Sequence, residues 1–236
     1  MQKISTIPAP TVTATQVVAR PASERTVSRP RLSEIKTGHH PKVGQAVQMA
    51  KNWNQRRKEQ PTSIVLVAAD SGRSGVTGKG VGKTHIAKCC LWAAGAYFVG
   101  GQPIAPAGAF LMADELMHEL GDKRLAPSRK IARLVRQNTP VLVIDDVGTE
   151  EKSPYLNDQA WQIQRRLRYF VAINHCYEND IPMIITSNLR LAELARHIGD
   201  RAWSRLNEMA PKGFMLDLTG VPDYRLKKAG RAKFSA

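Results

Sequence analysis

The sequence predicts an α/β domain built on a parallel sheet, and three stretches carry that expectation. Ile64-Val65-Leu66-Val67-Ala68-Ala69 is an apolar run that leads into a glycine-rich stretch and then into a helical pattern from Ile86 to Phe98. Val141-Leu142-Val143-Ile144 ends in the carboxylates Asp145 and Asp146. Pro182-Met183-Ile184-Ile185 ends in Thr186-Ser187-Asn188. Continuous apolar runs of this length suit strands buried on both faces, as in parallel sheets covered by helices. Open sheets of that class bind ligands at the carboxyl ends of their strands, which is where these polar residues fall.

The first run is followed by Thr77-Gly78-Lys79-Gly80-Val81-Gly82-Lys83-Thr84-His85. Strand, glycine-rich turn and helix in succession form the setting of a phosphate-binding loop. Small residues let backbone N–H groups curl around an anion, and the next helix points its positive end at the same place. Lys83 is the candidate for the β- and γ-phosphates, and the Thr84 hydroxyl for Mg²⁺. Two features depart from the strict pattern. Thr77 stands where it has glycine, and Asp70-Ser71-Gly72-Arg73-Ser74-Gly75-Val76 lengthens the link from the strand. The plain alternative, a glycine-rich surface loop, does not explain the second motif downstream.

Upstream of this core, residues 1–40 are rich in Pro, Thr, Ser and Arg, which predicts a disordered basic tail. Pro41 opens a helical pattern over 41–60 in which Val43, Ala46, Val47, Ala50 and Trp53 share a face. That extension reads equally as a basic docking helix or as a helix packed on the core. Charge is concentrated at the ends. The formal net charge is +15; residues 1–60 hold 11 Lys and Arg against 3 acids, and 224–236 hold 5 against none. Basic tails favour nucleic acid or another acidic surface. The three cysteines form no CxxC pair, so neither a zinc site nor a disulfide framework is expected. No long apolar run or signal-peptide core is present, which predicts a cytoplasmic protein with no membrane partner.

After the first core helix, expected to end at Gly100-Gly101, Phe110-Leu111-Met112 reads as a second strand, and Leu116, Met117 and Leu120 mark a helix. A basic helix follows Pro127, with Arg129, Lys130, Arg133 and Arg136 at helical spacing; it is either a solvated face or a nucleic-acid surface. At the end of the next strand, Asp145 is the candidate for the Mg²⁺ shell. Asp146, expected to point elsewhere by strand alternation, is the candidate to polarise an attacking water, with Glu150 as a rival base. Asp158 to Asn179 reads as a long helix with Trp161, Leu167, Phe170 and Val171 inward. Asn188 can contact a γ-phosphate or water, or merely cap the next helix. Arg201 and Arg205 share one helical face, Phe214–Leu218 reads as the last strand, and Asp223-Tyr224-Arg225 precedes the basic C-terminal tail.

In this order the motifs resemble the AAA+ ATPases of the DnaC/IstB type, which include replicative helicase loaders and the ATP-binding helpers of insertion-sequence transposition. The resemblance rests on Gly80-Val81-Gly82-Lys83-Thr84-His85-Ile86-Ala87, Ile144-Asp145-Asp146-Val147-Gly148-Thr149-Glu150 and Ile185-Thr186-Ser187-Asn188-Leu189. It continues in Gly199-Asp200-Arg201-Ala202-Trp203-Ser204-Arg205-Leu206 and Gly220-Val221-Pro222-Asp223-Tyr224-Arg225. It implies an ATPase domain over 61–226, flanked by a basic tail at 227–236, with a five-stranded parallel sheet between helices. Lys83 and Thr84 take the Walker A role, Asp145 and Asp146 the Walker B role, and Asn188 the sensor-1 position. Arg205 resembles an arginine finger, with Arg201 as runner-up, and Arg225 a sensor-2 arginine. The implied ligands are ATP and Mg²⁺. The implied partners are DNA, further copies of the chain through a shared ATP site, and a replicative helicase or, as the alternative, a transposase; a nucleotide switch with little turnover is a third reading. The chain departs from the family in having Cys176-Tyr177 where Arg-Tyr is common, and in 60 N-terminal residues that match no partner-binding domain.

Overall fold

The computed structural model describes residues 30–57, 59–72, 77–95, 97–99, 102–104, 110–121, 125–135, 139 and 141–225. Residues 1–29 of the tail expected over 1–40, the tail expected over 227–236, and Arg136 lie outside them. A short 3₁₀ turn at Leu32–Glu34 precedes α1 (Pro41–Arg56), β1 (Ile64–Val67) and α2 (Lys83–Gly95). A small hairpin follows, β2 (Tyr97–Val99) with β3 (Gln102–Ile104), then β4 (Phe110–Met112), α3 (Ala113–Gly121), α4 (Pro127–Leu134) and β5 (Leu142–Val147). The chain closes with α5 (Asp158–Glu178), β6 (Met183–Ser187), α6 (Leu191–Ile198), α7 (Asp200–Met209) and β7 (Met215–Asp217).

Five strands pair in the order β4-β5-β6-β1-β7, every pair parallel. This is the predicted five-stranded parallel sheet, and both of its faces are covered. Val65, Val67, Leu142, Ile144, Met183 and Ile185 face α3 to α7, while Ile64, Leu66, Val143 and Ile184 face α1 and α2. Alternate residues of one strand thus serve opposite layers, which is why these strands read as unbroken apolar runs. β1 and β6 are neighbours whose onward connections run to opposite edges of the sheet, β1 towards β4 and β6 towards β7. That divergence opens a crevice at their carboxyl ends.

Two sequence expectations are corrected, and one left open is decided. The first core helix ends at Gly95, and 97–99 pairs antiparallel with 102–104 instead of continuing it. Tyr-Phe-Val is a β-favouring triplet, and Gly100-Gly101 is a hairpin signal in the sequence. The helix over 41–60, left open between a docking helix and a helix packed on the core, packs on the core. Trp53 is wholly buried and donates from Nε1 to Thr62 O at 2.5 Å, and Val43, Ala46 and Ala50 share a core with β1 and α2. Leu32 and Ile35 also pack on that core, so the ordered body begins before residue 40. Finally, α5 buries Trp161, Tyr169, Ala172, Ile173 and Cys176, whereas Leu167 is 45% exposed. Cys89 and Cys90 pack in α2 as expected. Among the described residues no helix is long and apolar enough to cross a membrane.

Candidate functional site

The glycine-rich loop leaves β1 and wraps the start of α2, and its shape is set by close packing. Gly80 has φ of 65°, and a Cβ there would lie 1.7 Å from Asp223 Oδ1. A Cβ on Gly78 would lie 2.1 Å from Ala68 O. Both positions therefore demand glycine, for want of space as well as for their backbone angles. The C-terminal segment closes over the loop, with Tyr224 N–H donating to Gly80 O at 3.2 Å and Arg225 N–H to Asp223 Oδ1 at 2.8 Å.

A cleft of about 620 Å³ lies at the carboxyl ends of β1, β5 and β6. It is lined by the loop from Lys79 to His85, by Asp145, Asp146, Thr149 and Asn188, and by Arg225. The residues are linked in a chain of hydrogen bonds. Lys83 Nζ donates to Gly78 O at 2.7 Å and to Asn188 Oδ1 at 2.8 Å, and Asn188 Nδ2 donates to Asp146 Oδ1 at 2.7 Å. Thr84 Oγ donates to Asp145 Oδ1 at 3.1 Å. Thr186 adds a contact that the sequence reading missed: its hydroxyl donates to Asp145 Oδ1 at 2.5 Å and accepts from Asp146 N–H at 3.0 Å. The polar trio ending β6 was the available signal, since all three residues fall at the ligand-binding edge. Burial pushes the Lys83 ammonium down from 10.5 to about 8, against the opposing pull of Asp146 and Asp145 and with the help of Arg225.

Asp145 and Asp146 both line the cleft, contrary to simple strand alternation. Asp146 has φ of 64°, and the β5–β6 register slips between Ile144 and Val147. This bulge turns the second carboxylate towards the same side as the first. A left-handed aspartate is a strained position, and such strain collects at functional sites.

The structure brings together Lys83, Thr84, His85, Asp145, Asp146, Asn188 and Arg225, and it leaves three candidates elsewhere. Thr77 is exposed and outside the cleft lining, its hydroxyl accepting from Lys79 N–H at 3.4 Å. Glu150 is turned away into the protein, its side chain 1% exposed and bonded to Gly148, Tyr169 and His197. Burial works to raise its carboxyl, but these partners outweigh that and hold it below the ordinary carboxylate range. Arg205 sits on α7 away from this cleft, its guanidinium 5.0 Å from the centre of the Phe170 ring and 5.4 Å from that of Tyr177. Its buried Nη1 has no hydrogen-bond partner, and Arg201 is exposed one turn before it.

A second, more apolar cavity of about 290 Å³ adjoins the cleft, sharing Gly80, Val81, Gly82 and His85 with it. Glu34, Ile35, Lys36, His39, Val43 and Tyr224 form its other walls. His39 and Tyr224 lie with ring centres 5.5 Å apart, and His39 Nδ1 is buried without a partner.

The residues fit ATP and Mg²⁺. The glycine cradle and Lys83 suit phosphates, and a hydroxyl beside a carboxylate suits a hard cation that also takes phosphate oxygens. Among the described residues no group of three or more His, Cys, Asp and Glu side chains converges on a metal position.

No protein-family model and no curated protein matches the chain. Solved structures do. The crystal structure of the DnaC helicase loader is similar with a TM-score of 0.53 and 24% identity, covering 80% of this chain and 96% of that one. DnaI is similar with a TM-score of 0.54 and 18% identity, over 80% and 90%. The replication initiator DnaA, bound to AMPPCP and single-stranded DNA, matches with a TM-score of 0.51 and 16% identity, over 88% of this chain and 57% of that one. At these identities the likeness establishes the fold alone: an α/β core on a five-stranded parallel sheet.

Proposed function

We propose that the protein is an ATPase that assembles with further copies of itself on DNA and delivers a replicative helicase. The observation that carries this reading is the linked array Lys83–Asn188–Asp146 beside Thr84–Asp145, in one cleft at the β1/β6 divergence. Lys83 neutralises β- and γ-phosphate charge, and Arg225 reaches the same cleft from the C-terminal side. The neighbouring apolar cavity takes the base. Thr84 and Asp145 would hold Mg²⁺, which when bound offsets charge on the phosphate oxygens. Asp146 polarises the attacking water, and Asn188 orients that carboxylate while joining it to Lys83.

Self-assembly is supported by Arg205. It lies outside its own cleft, half-buried on α7, so it can meet a γ-phosphate only if another copy brings one to it. The +15 charge supports a nucleic-acid partner. The likeness to a helicase loader, to DnaI and to a replication initiator supports a helicase over a transposase as the delivered protein. The test is a mixing experiment. Arg205→Ala and Lys83→Ala proteins should each be inactive alone and recover part of the ATPase rate together, since each contributes the half-site that the other lacks. A rate that merely follows dilution of the two variants rejects the shared site.

A further inference from the structure

Glu150 looks from the sequence like a spare catalytic base, but its surroundings point to another task. Its Oε1 accepts from Gly148 N–H at 3.1 Å and from the Tyr169 hydroxyl, and its Oε2 lies 2.8 Å from His197 Nε2. These partners belong to three elements: the turn after β5, the middle of α5 and the last turn of α6. A base must reach a water, and a carboxylate this enclosed and this fully engaged has no free face for one. Burying such a group is costly unless its bonds are made, so a packed apolar side chain would be the simpler way to fill the space.

The turn that it grips is the one that presents Asp146. Thr149 N–H and its hydroxyl both bond to Asp146 O, at 3.3 and 2.7 Å, around the left-handed Asp146. The helix that it grips leads directly to the arginines. His197 lies two residues before Gly199, where α7 begins with Arg201 and Arg205, and its carbonyl accepts from Arg165 Nε at 3.3 Å. We infer that Glu150 is a positioning residue: its carboxylate braces the Asp146 turn and ties it to α6, so that the cleft and the arginine-bearing α7 shift together. The inference rests on the ATPase reading for its catalytic consequence and on the structure alone for the mechanical one.

The experiment compares Glu150→Gln, Tyr169→Phe, His197→Gln and the Glu150→Gln/His197→Gln double variant, all as the full chain. Hydrogen exchange in nucleotide-free protein should quicken at 146–150 and across 191–209 in every variant. Turnover should fall about 10–100-fold, the scale expected when a reacting group is misplaced, with KM little changed. The double variant should be no worse than its worse parent, because the pair acts as a unit. The inference is overturned if Glu150→Gln alone falls to the level of Asp146→Asn while the other variants turn over normally, since Glu150 is then the base. It is equally overturned if thermal midpoints drop while exchange at 191–209 and turnover at a lower temperature stay as in the wild type, the mark of a local packing role. Absence of turnover in the wild type would reject the ATPase reading, and the exchange comparison would still decide whether Glu150 joins the two segments.

Discussion

The loop after β1 and the turn after β5 meet at one cleft, yet they dispose of their polar groups in opposite ways. The β1 loop keeps its groups towards the opening: Lys83, Thr84 and His85 line the cleft, and Gly78 and Gly80 are there because a side chain would strike Ala68 or Asp223. The β5 turn divides its acids. Asp145 and Asp146 face the cleft, while Glu150 is consumed inside by Tyr169 and His197. The difference teaches that one cleft can be built from a loop left able to accept a ligand and a turn that is already fully bonded. An open loop supplies contacts, whereas a closed turn supplies the fixed reference against which a carboxylate is aimed.

The contrast breaks most completely at Lys83. The only other cation among the cleft-lining residues 79–85 is Lys79, which is exposed. Lys83→Ala should abolish binding at micromolar ATP, as measured by titration with a fluorescent nucleotide; unchanged affinity rejects the open loop as the phosphate site. The next largest effect falls on the other side. Asp146→Asn keeps the size of the side chain and removes its charge, so ATPase turnover should fall about 10²–10⁴-fold while affinity changes far less. A normal rate in that variant would move the catalytic role away from the turn after β5.

A smaller effect, but a sharper one, concerns how the open loop is shaped. Gly80→Ala sets a methyl group 1.7 Å from Asp223 Oδ1. Thermal stability and nucleotide affinity should both drop, and a second change, Asp223→Ala, should restore part of each by clearing the space. Adding Asp223→Ala with no recovery would show that the backbone angle at Gly80, and not the contact, is what matters.

The open loop was legible in the sequence and the closed turn was not, for a physical reason. Lys83, Thr84 and the glycines lie within a few residues of one another, so their spacing alone brings them to one cleft. The strands were equally legible, because burial on both faces leaves β1, β5 and β6 as plain apolar runs. Glu150 takes its meaning from Tyr169 and His197, which reach it only through the packing of α5 and α6 on the sheet. Asp146 faces the cleft because of a bulge that no local residue announces. His39 and Tyr224 meet because α1 belongs to the body of the domain, a fact that an amphipathic pattern cannot distinguish from a docking helix.

The smallest predicted effect tests whether Lys83 is as enclosed as the cleft geometry indicates. Burial lowers its pKa to about 8 despite Asp146 and Asp145. In the unfolded chain a lysine keeps its proton to about 10.4. Between these values the unfolded state holds more protons than the folded one, so this group's contribution makes the nucleotide-free protein more stable as pH rises. Nucleotide binding has the opposite slope. Phosphate needs the charged ammonium, and its own second ionisation, near 6, is already complete. Affinity should therefore fall above pH 8, by up to about tenfold per unit, while the thermal midpoint of the free protein gains from the same deprotonation. Titrations and melts at pH 7 to 9.5 give both slopes, and Lys83→Ala supplies the control, since its melts should lose the Lys83 contribution. Affinity that stays level through pH 9.5 would mean that Lys83 keeps its proton like a solvated lysine, and that the loop after β1 is more open than its hydrogen bonds to Gly78 and Asn188 imply.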